Sequence, residues 1–520
     1  MHWKKFKGLE PSEKRNESYF IIGLDIGDDS SSIAFYNTME GTAETIDLSG
    51  GYGKPSIPTV MQYIPETREW VYGEYALMNR GAGADITIMS LTGRLGRHEY
   101  IEINNKPVSI INILGQFIKE LLLQVKNINP KAEIVGIVAA IPSYFNSQAR
   151  DEFIRAFKIA GYEKELIGLV SDRECIFTHY YATRTPSEEH ALLIDYGSGQ
   201  TRGGLYHIIP TAQEITIKSI SSLFDETIGT KIINDELESM FRDFFIDQAD
   251  LTPQGGVMEQ FSAFLYQHRD VLFAKNIRNK PVKLYFNFLY PPFMQIVDYD
   301  RMEAFIRPFD KKFRSFLSDV FEKNLYGVLE VRPGDVRNII CVGGGFEMLW
   351  AKEAVQSFFG GSEIGFYKNS KIVTAEGAAI AAAQLLEAAE GQTVVVEDKH
   401  QLESDIGLIS EDGKFLPLVE RSTFWWQNHP VRTFIVNNEC HGQIPLTVAA
   451  QNREGEIKKL MDINVCGLPA RPKGTTCIGA RLEFISNNDI NATFFDYGFG
   501  EMFPKTDCKE EIQITLGGLK

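Results

Sequence analysis

An aspartate followed by a glycine-rich turn is the feature of this sequence best suited to chemistry. Asp195 follows the apolar run Ala191–Ile194 and precedes Gly197, Ser198 and Gly199. The apolar run predicts a strand that ends at the carboxylate. Glycines let backbone N–H groups approach a phosphate without a Cβ in the way, and a carboxylate beside them can hold a hydrated cation. The segment therefore predicts a phosphate and cation site.

The same pattern occurs near the start of the chain. Asp25 ends the apolar run 19–24 and is followed by Gly27 and Asp28. Two strand–Asp–x–Gly–strand hairpins in one chain indicate two related half-sites that face one ligand.

A third apolar run is followed by Gly343, Gly344 and Gly345. A single aspartate before a glycine turn is most often only turn chemistry. Three segments of this kind, separated by helices, favour a site for a nucleotide or another phosphate. Simple turn geometry remains the alternative interpretation of each glycine.

The elements between these segments predict an α/β domain. Apolar residues recur at helical spacing over 109–125 and 147–160, and residues 134–141 form an apolar run that is ended by Pro142. The order strand, helix, strand, helix, strand implies parallel strands joined by crossover helices. Further helices are predicted over 349–359 and 375–389.

The pattern changes after Glu390, where period-two alternation between turns begins. Strand candidates are residues 432–437, 444–449, 456–463, 480–485, 490–495 and 511–516. They predict a separate all-β domain, which we interpret as a sandwich.

Composition and net charge argue against some classes of function. The chain has 520 residues, 44% of them apolar, and a formal charge of −16. An acidic surface gives no general attraction to nucleic acid or to an anionic membrane. We find no apolar run of membrane-spanning length and no signal peptide after the basic first residues, and the six cysteines have no CxxC spacing. We therefore expect a cytoplasmic protein without membrane insertion.

Four segments resemble the actin, sugar-kinase and heat-shock ATPase superfamily, and within it the 70-kilodalton heat-shock chaperones. Residues 141–150 read Ile-Pro-Ser-Tyr-Phe-Asn-Ser-Gln-Ala-Arg and resemble the chaperones' Val-Pro-Ala-Tyr-Phe-Asn-Asp-Ser-Gln-Arg. Residues 341–345 resemble their adenosine loop, Leu-Val-Gly-Gly-Ser. Residues 417–423 and 466–474 are similar to the opening of their peptide-binding domain and to its Gly-Ile-Pro-Pro-Ala-Pro-Arg-Gly segment. The last two matches favour a chaperone relative over actin or a sugar kinase.

The resemblance implies an actin-like (ribonuclease H-like) two-lobed ATPase domain followed by an all-β sandwich that holds an extended polypeptide. The expected organisation is an N-terminal arm at 1–18, the nucleotide-binding domain at 19–390, a hydrophobic linker at 391–403 that contains Val394–Val396, and the β-domain at 404–520. ATP or ADP with Mg²⁺ is the implied cofactor. We expect no helical lid.

The resemblance also assigns roles to individual residues. Asp25 and Asp195 would hold hydrated Mg²⁺, and Asp195 with Asp172 would serve catalysis, although a helix cap is the alternative for Asp172. The residues expected to contact nucleotide are Gly27, Asp28, Gly197, Ser198, Gly199, Gly343, Gly344, Gly345, Lys275 and Asn279, of which the last two could equally lie on a solvated helix face.

Two more segments have a functional and a structural interpretation. Pro142 and Arg150 resemble the chaperones' switch between nucleotide and peptide domains, or they end a strand and lie on a helix surface. The aromatic run 424–426 lines a peptide groove or fills the β-domain core.

Several departures from the chaperone pattern predict slow or absent ATP hydrolysis. Asp28 and Asp29 stand where the chaperones have two threonines, and Gln200 and Arg202 replace a threonine and an acidic residue. Lys371 stands where the chaperones have another acidic residue. The catalytic lysine has no counterpart, since only Arg94 is nearby and arginine does not replace a single ammonium.

These departures leave three functions open. The first is a divergent chaperone-like protein that binds ATP or ADP, engages extended polypeptide and has at most weak ATPase activity. The second is a pseudo-ATPase scaffold that docks one dedicated partner. The third is a small-molecule kinase, which the β-domain disfavours.

Overall fold

The structure is a computed structural model. It describes residues 19–48, 53–80, 86–143, 145–249, 256–273, 280–287, 292–322, 331–360, 363–367, 370, 372–397, 402, 404–410, 413–421, 423, 429–452, 455–485 and 489–516. The chain divides into two compact units. One comprises Met1–Ser143 and Asp151–Glu397, and the other comprises Tyr144–Arg150 and Asp398–Lys520.

Up to Glu397 the described chain alternates between strands and helices. In order, these are β1 (Tyr19–Ile26), β2 (Ser30–Asn37), β3 (Thr42–Thr45), β4 (Ser56–Pro58), β5 (Val60–Ile64), β6 (Glu69–Tyr72), α1 (Gly73–Met78), β7 (Ile86–Met89), β8 (Tyr100–Ile103), β9 (Lys106–Ser109), α2 (Ile110–Ile128), β10 (Glu133–Ile141), α3 (Ser147–Ala160), β11 (Leu166–Ser171), α4 (Asp172–Ala182), β12 (Glu189–Tyr196), β13 (Thr201–Pro210), β14 (Glu214–Asp225), α5 (Thr230–Ala249), α6 (Gly256–Leu272), β15 (Val282–Phe286), β16 (Phe293–Val297), α7 (Tyr299–Glu322), β17 (Val336–Val342), α8 (Leu349–Phe358), β18 (Glu363–Phe366), α9 (Val373–Leu385) and β19 (Thr393–Glu397).

The first unit contains two six-stranded sheets with the same internal order. One sheet runs β11-β10-β1-β2-β3, with β4 also paired to β2, and the other runs β18-β17-β12-β13-β14-β19. In each sheet the hairpin strand that carries the aspartate, β1 or β12, is parallel to one neighbour and antiparallel to the other. The ends of β1 and β12 therefore occupy equivalent positions, as the two similar hairpins of the sequence predicted.

Apolar periodicity located several of these elements correctly. The predicted helices over 109–125 and 147–160 are α2 and α3, and the predicted strand over 134–141 is β10. Ser109 caps α2, because its hydroxyl accepts a hydrogen bond from the Asn112 N–H at 3.3 Å. The helix expected over 375–389 ends earlier, at Leu385, because Glu387 has a φ of 55°.

Helix α9 packs with its backbone close to β1 and α4. A Cβ on Gly23 of β1 would collide with the Ala375 carbonyl oxygen and the Ala379 nitrogen. A Cβ on Gly377 of α9 would collide with the Cys175 carbonyl oxygen of α4. The small residues of this helix thus allow a close approach that larger side chains would prevent.

Part of the expected linker belongs to a sheet. Residues 393–397 form β19, which pairs in parallel with β14, and Val394 is buried. Five of the residues predicted as linker over 391–403 therefore form an edge strand of the first unit. An isolated apolar run does not reveal whether it connects domains or joins a sheet edge.

The second unit is built from antiparallel strands. They are β20 (Asp405–Ile409), β21 (Phe415–Val419), β22 (Arg432–Val436), β23 (Gln443–Gln451), β24 (Ile457–Cys466), β25 (Thr476–Phe484), β26 (Asp489–Asp496) and β27 (Lys509–Thr515). They form the sheets β21-β20-β23-β24 and β22-β25-β26-β27, and both sheets contribute side chains to one hydrophobic core. The alternating pattern after Glu390 predicted this strand-rich region correctly.

A buried ion pair joins a loop of the second unit to the end of β26. Arg471 donates to both carboxylate oxygens of Asp496, at 2.7 and 2.8 Å, and both side chains are at most 2% exposed. Asp496 also accepts from the Gly498 and Thr506 N–H groups, which completes its hydrogen bonding.

Candidate functional site

The two aspartate hairpins close with the same backbone hydrogen bond. The Gly27 N–H donates to the Ser30 carbonyl at 3.1 Å, and the Gly197 N–H donates to the Gln200 carbonyl at 3.0 Å. Asp25 and Asp195 each lie one residue before the end of their strand. The prediction that each apolar run ends at its aspartate and turns at a glycine is confirmed.

The fold brings Asp25, Asp172 and Asp195 close enough to interact electrostatically. Burial, and to a smaller extent the neighbouring charges of Asp172 and Asp195, together raise the pKa of Asp25 to about 8. Burial also raises the pKa of Asp195, to about 6, where Arg202 opposes the increase and Asp172 adds to it. Close carboxylates disfavour each other's ionisation, so this cluster favours a proton or a cation.

The difference between the two pKa values has a local cause. In the β1–β2 hairpin the cross-strand partner of Asp25 is Ser32, whereas in the β12–β13 hairpin the partner of Asp195 is Arg202. A guanidinium stabilises the ionised carboxylate, and a hydroxyl offers no such charge. The second hairpin therefore ionises more readily than the first.

Asp172 is the first residue of α4 and forms an ion pair. Ser171 caps the helix, because its hydroxyl accepts from the Glu174 N–H while Glu174 accepts from the Ser171 N–H. Asp172 accepts from the Arg173 N–H in the first turn of the helix at 2.8 Å and from the Arg202 guanidinium at 3.0 Å. Ser171 is the N-cap residue, but the Asp172 carboxylate both accepts a hydrogen bond at the start of the helix and lies within the charged cluster.

The acidic residues of the first turn are bound by side chains from distant parts of the first unit. Asp28 accepts from the Thr92 hydroxyl at 2.8 Å and from the Gly93 N–H at 2.7 Å. Asp29 accepts from the Tyr266 hydroxyl of α6 at 3.0 Å. Sequence reasoning did not identify Thr92 or Tyr266 as site residues, because nothing in their local sequence shows which turn they reach.

Arg94, the residue nearest the position of the chaperones' lysine, is bound within its own loop. It donates to the Met89 carbonyl at 3.0 Å and pairs with Glu99, so its guanidinium is engaged within its own loop. The residue of this loop that contacts the first turn is Thr92.

The second turn is braced by backbone contacts. The Thr230 N–H at the start of α5 donates to the Gly197 carbonyl at 3.1 Å, and the Lys231 N–H donates to the Ser198 carbonyl at 3.0 Å. Gly199, the remaining predicted residue of this turn, is exposed. Ser198 and Gly199 therefore present a turn without charged side chains.

The third glycine segment lies against the second hairpin. Gly343 has a φ of +91°, and a Cβ there would lie 2.6 Å from the Asp195 carboxylate. Gly344 opens a short 3₁₀ turn, and a Cβ on Gly345 would collide with the Tyr196 ring. Glycine is required for this approach, which brings the backbone of the loop next to Asp195.

Some predicted residues lie apart from this cluster or outside the described residues. Lys275, Asn279, Lys371 and the aromatic run 424–426 fall outside the described residues. Pro142 directly follows β10, and Arg150 donates to the Phe145 carbonyl at 3.2 Å.

The interacting carboxylates of Asp25 and Asp195 are candidates to hold a hydrated cation, because each disfavours ionisation of the other unless a positive charge is present. Among the residues that the structure describes, no three histidine, cysteine, aspartate or glutamate side chains are grouped as ligands of one metal ion. In the described part of the chain no helix combines the length and apolar character needed to cross a membrane.

Two families match parts of the chain. A family of unknown function (DUF5716), through its C-terminal part, matches residues 42–200, and a domain of unknown function (DUF8552) matches residues 401–516.

The chain is also similar to DnaK chaperones over nearly its full length. The chaperone protein DnaK of Thermotoga petrophila is 24% identical over 512 residues, which cover 96% of this chain and 80% of the relative. The DnaK proteins of Thermosipho melanesiensis and Thermosipho africanus are 22% and 21% identical, and cover 96% and 94% of this chain and 80% and 79% of the relatives. Similarity of this extent supports a relationship between this chain and the DnaK-type, actin-like ATPases.

Proposed function

We propose that the first unit binds ATP or ADP with Mg²⁺ and hydrolyses ATP slowly or not at all. The observation that carries this proposal is the pair of matched aspartate–glycine turns whose carboxylates interact, with the Gly343 loop beside one of them. Backbone N–H groups at glycine turns favour phosphates, and the carboxylates favour the accompanying cation.

We assign the residues as follows. Asp25 and Asp195 hold hydrated Mg²⁺, the turns at Gly27 and Gly197 contact phosphate, and the Gly343 loop contacts adenosine. When bound, Mg²⁺ would neutralise phosphate charge. Because the pKa of Asp25 is about 8, Mg²⁺ must displace a proton there at neutral pH, so we expect cation affinity to rise with pH.

The slow hydrolysis follows from the groups that surround the first turn. Phosphoryl transfer depends on positioned charges and on an oriented nucleophile. Here Thr92 is bound to Asp28, Arg94 is paired with Glu99, and Arg202 is paired with Asp172. These pairings support binding without efficient chemistry.

The finer architecture is also part of the proposal. We interpret the two equivalent sheets of the first unit as the lobes of an actin-like nucleotide-binding domain at 19–390, and the second unit as a β-sandwich at 404–520. The repeated sheet order and the similarity to DnaK chaperones support this interpretation.

We further propose that the β-domain engages extended polypeptide. Its edge strands β21 and β22 carry the exposed apolar side chains Leu416 and Ile435. An extended peptide can add to such an edge through backbone hydrogen bonds, and its alternate side chains can pack against the exposed apolar side chains. The pairings of Thr92, Arg94 and Arg202 support slow hydrolysis, and slow hydrolysis equally favours a scaffold that docks one dedicated partner in place of many peptides.

A thermal-shift assay combined with phosphate release tests the nucleotide proposal. Mg-ATP or Mg-ADP at about one hundred times the dissociation constant should stabilise the first unit by about 2.7 kcal/mol. We expect this stabilisation with little phosphate release, and its loss in Asp195→Asn. Asp243→Asn, on an exposed part of α5, is the matched control. Rapid hydrolysis by the parent protein would contradict the slow-ATPase assignment, and no shift with either nucleotide would contradict binding.

Fluorescence anisotropy with a labelled extended apolar peptide tests the second unit. Ile435→Asp should weaken binding, whereas Ile296→Asp should not, since both isoleucines are 50% exposed but Ile296 lies on β16 of the first unit. A parent protein that binds no peptide of any sequence would favour the dedicated-partner scaffold.

A further inference from the structure

A pocket of about 500 Å³ lies in the first unit, at the end of α4 and at the starts of β12, β17 and β18. These three strands run parallel, so their starts share one edge of the sheet. Asp195 and the Gly343 loop lie at the opposite ends of β12 and β17. Glu189 of the pocket and Asp195 are six residues apart on β12, roughly 20 Å in an extended strand. The pocket is therefore separate from the candidate nucleotide site.

One carboxylate of this pocket is held by uncharged side chains. The Asn338 amide of β17 donates to Glu189 at 2.6 Å, and the Tyr181 hydroxyl of α4 donates to it at 3.2 Å. The Ser187 hydroxyl donates to its second oxygen at 3.0 Å. Burial, together with the charge of Glu189, raises the pKa of Tyr181 above its usual range, so the hydroxyl keeps its proton. A negative charge is thus fixed in the pocket wall.

A positive charge lies over the floor of the pocket. The Cζ of Arg184 is 4.1 Å from the centroid of the buried Tyr180 ring. Its Nη1 donates to the Tyr180 carbonyl at 3.4 Å, and its Nη2 lies 3.8 Å from the Glu363 carboxylate, which is too long for a hydrogen bond. A guanidinium has five N–H donors. Most of those of Arg184 therefore have no acceptor among the residues that the structure describes.

The charges that line the pocket balance. Arg184 and Arg337 contribute two positive charges, and Glu189 and Glu363 contribute two negative charges. The carboxylates disfavour a polyanion and the guanidinium groups disfavour a cation, whereas a ligand with one charge of each sign complements both. Because Arg184 and Glu363 are adjacent without a hydrogen bond between them, the charges of such a ligand should also be adjacent. An α-amino acid has this property, since one carbon carries its carboxylate and its ammonium.

We propose that this pocket binds a free α-amino acid, with the carboxylate on Arg184 and the ammonium on Glu363. A guanidinium matches a carboxylate through two parallel hydrogen bonds. The Glu363 side chain is 68% exposed and only loosely paired, so it can accept from the ammonium. The volume of the pocket leaves room for the ligand's side chain beside Tyr180, Tyr181 and Val336. The inference does not depend on the proposed nucleotide binding.

Binding measurements on the full chain test the proposal. Thermal-shift assays with each standard amino acid, at up to about 10 mM, identify the probe. Calorimetric titration then compares the tightest-binding amino acid with its N-acetyl derivative, which lacks the ammonium, and with its amide, which lacks the carboxylate. The parent protein should bind the free amino acid at least about tenfold more tightly than either derivative, because each derivative leaves one charged group of the pocket without its partner.

Two variants assign the ligand's charges to residues. In Arg184→Gln the amino acid should bind at least about tenfold more weakly and should no longer be preferred over its amide. In Glu363→Gln it should no longer be preferred over its N-acetyl derivative. Arg242→Gln is the matched control, because this arginine pairs with Glu238 on α5, and it should leave all three affinities unchanged.

Three results would overturn the proposal. The first is that no amino acid binds the parent protein. The second is that the amide or the N-acetyl derivative binds as tightly as the free amino acid. The third is that Arg184→Gln and Glu363→Gln weaken all three probes equally, because the two side chains would then shape the pocket without contacting the ligand's charges.

Discussion

The β1–β2 and β12–β13 hairpins share a backbone and differ in the chemistry placed on it. Each begins with a strand that ends at an aspartate, turns at a glycine and returns antiparallel. The residue opposite the aspartate is Ser32 in the first and Arg202 in the second. This one difference accounts for part of the gap between a pKa of about 8 for Asp25 and about 6 for Asp195.

The hairpins also differ in what holds their turns. Distant side chains, Thr92 and Tyr266, bind the acidic first turn, whereas backbone N–H groups of α5 bind the uncharged second turn. Backbone geometry is therefore repeated within the first unit, but the electrostatics and the support of each turn are set locally. Four substitutions test how far the two hairpins are independent.

The largest effect is expected at Gly23→Ala. The equivalent residue of the second hairpin, two positions before the aspartate, is Leu193, which is buried. Because α9 lies against Gly23, an added methyl group should lower the free energy of unfolding by about 3 kcal/mol. Urea denaturation measures this loss. Gly334→Ala, where an added Cβ meets open space, should have little effect. Equal effects at both glycines would show that α9 does not approach the first hairpin this closely.

The second-largest effect is a pH-dependent change in the free energy of unfolding, expected for Asp25→Asn. An unperturbed aspartate titrates at 3.8, whereas Asp25 in the folded protein titrates at about 8. Between these values the folded state holds a proton that the unfolded state has lost, so parent stability should fall as pH rises and level off above about 8. Asparagine does not titrate, so the variant should be more stable than the parent by at least about 2 kcal/mol at about pH 9.

Denaturation across this pH range, without divalent cations, measures the difference. Asp195→Asn should show the same direction with a smaller amplitude and a lower pH range, because the pKa of Asp195 is about 6. Identical profiles for the two variants would contradict the comparison between the hairpins.

The third prediction makes the hairpins more alike. Arg202→Ser gives Asp195 the same kind of partner that Asp25 has, and removes the ion pair with Asp172. The pKa of Asp195 should rise by about one unit, equivalent to about 1.4 kcal/mol. Carbon-13 NMR titration of the carboxyl group measures it. Arg337→Ser, an exposed change at the start of β17, is the control. An unchanged pKa would mean that Arg202 does not stabilise Asp195.

The smallest effect is expected at Tyr266→Phe. This change removes the hydroxyl that donates to Asp29 and should cost about 1 kcal/mol of stability. A double-mutant cycle with Asp29→Ala, which removes the acceptor, isolates the pair, and we expect a coupling of at least about 0.5 kcal/mol. Tyr285→Phe on the exposed face of β15 is the control. Strict additivity of the two changes would show that the first turn does not depend on α6.

The sequence revealed the local part of the site but not the long-range part. Apolar runs before Asp25 and Asp195 predicted the strands, and the glycines after them predicted the turns, because both signals lie within a few residues. Tyr266 is 237 positions from Asp29, so their contact depends on how helices and sheets pack and has no local signal. The contact between Thr92 and Asp28 escaped prediction for the same reason.

The same distinction between local and long-range signals decides which parts of the fold could be predicted. Periodicity predicted α2, α3, β10 and the strands after Glu390, since an amphipathic face is encoded in adjacent residues. It did not predict that 393–397 would join a sheet, because the parallel partner β14 lies far away in the sequence.

The close contact between α9 and α4 gives the protein an intrinsic chemical reporter. Cys175 is fully buried where Gly377 approaches its backbone, and burial together with Glu174 raises the pKa of its thiol. Alkylating reagents require an accessible thiolate. Cys175 should therefore be labelled only when α9 separates from α4, and the labelling rate, read by peptide mass spectrometry, measures how often that separation occurs.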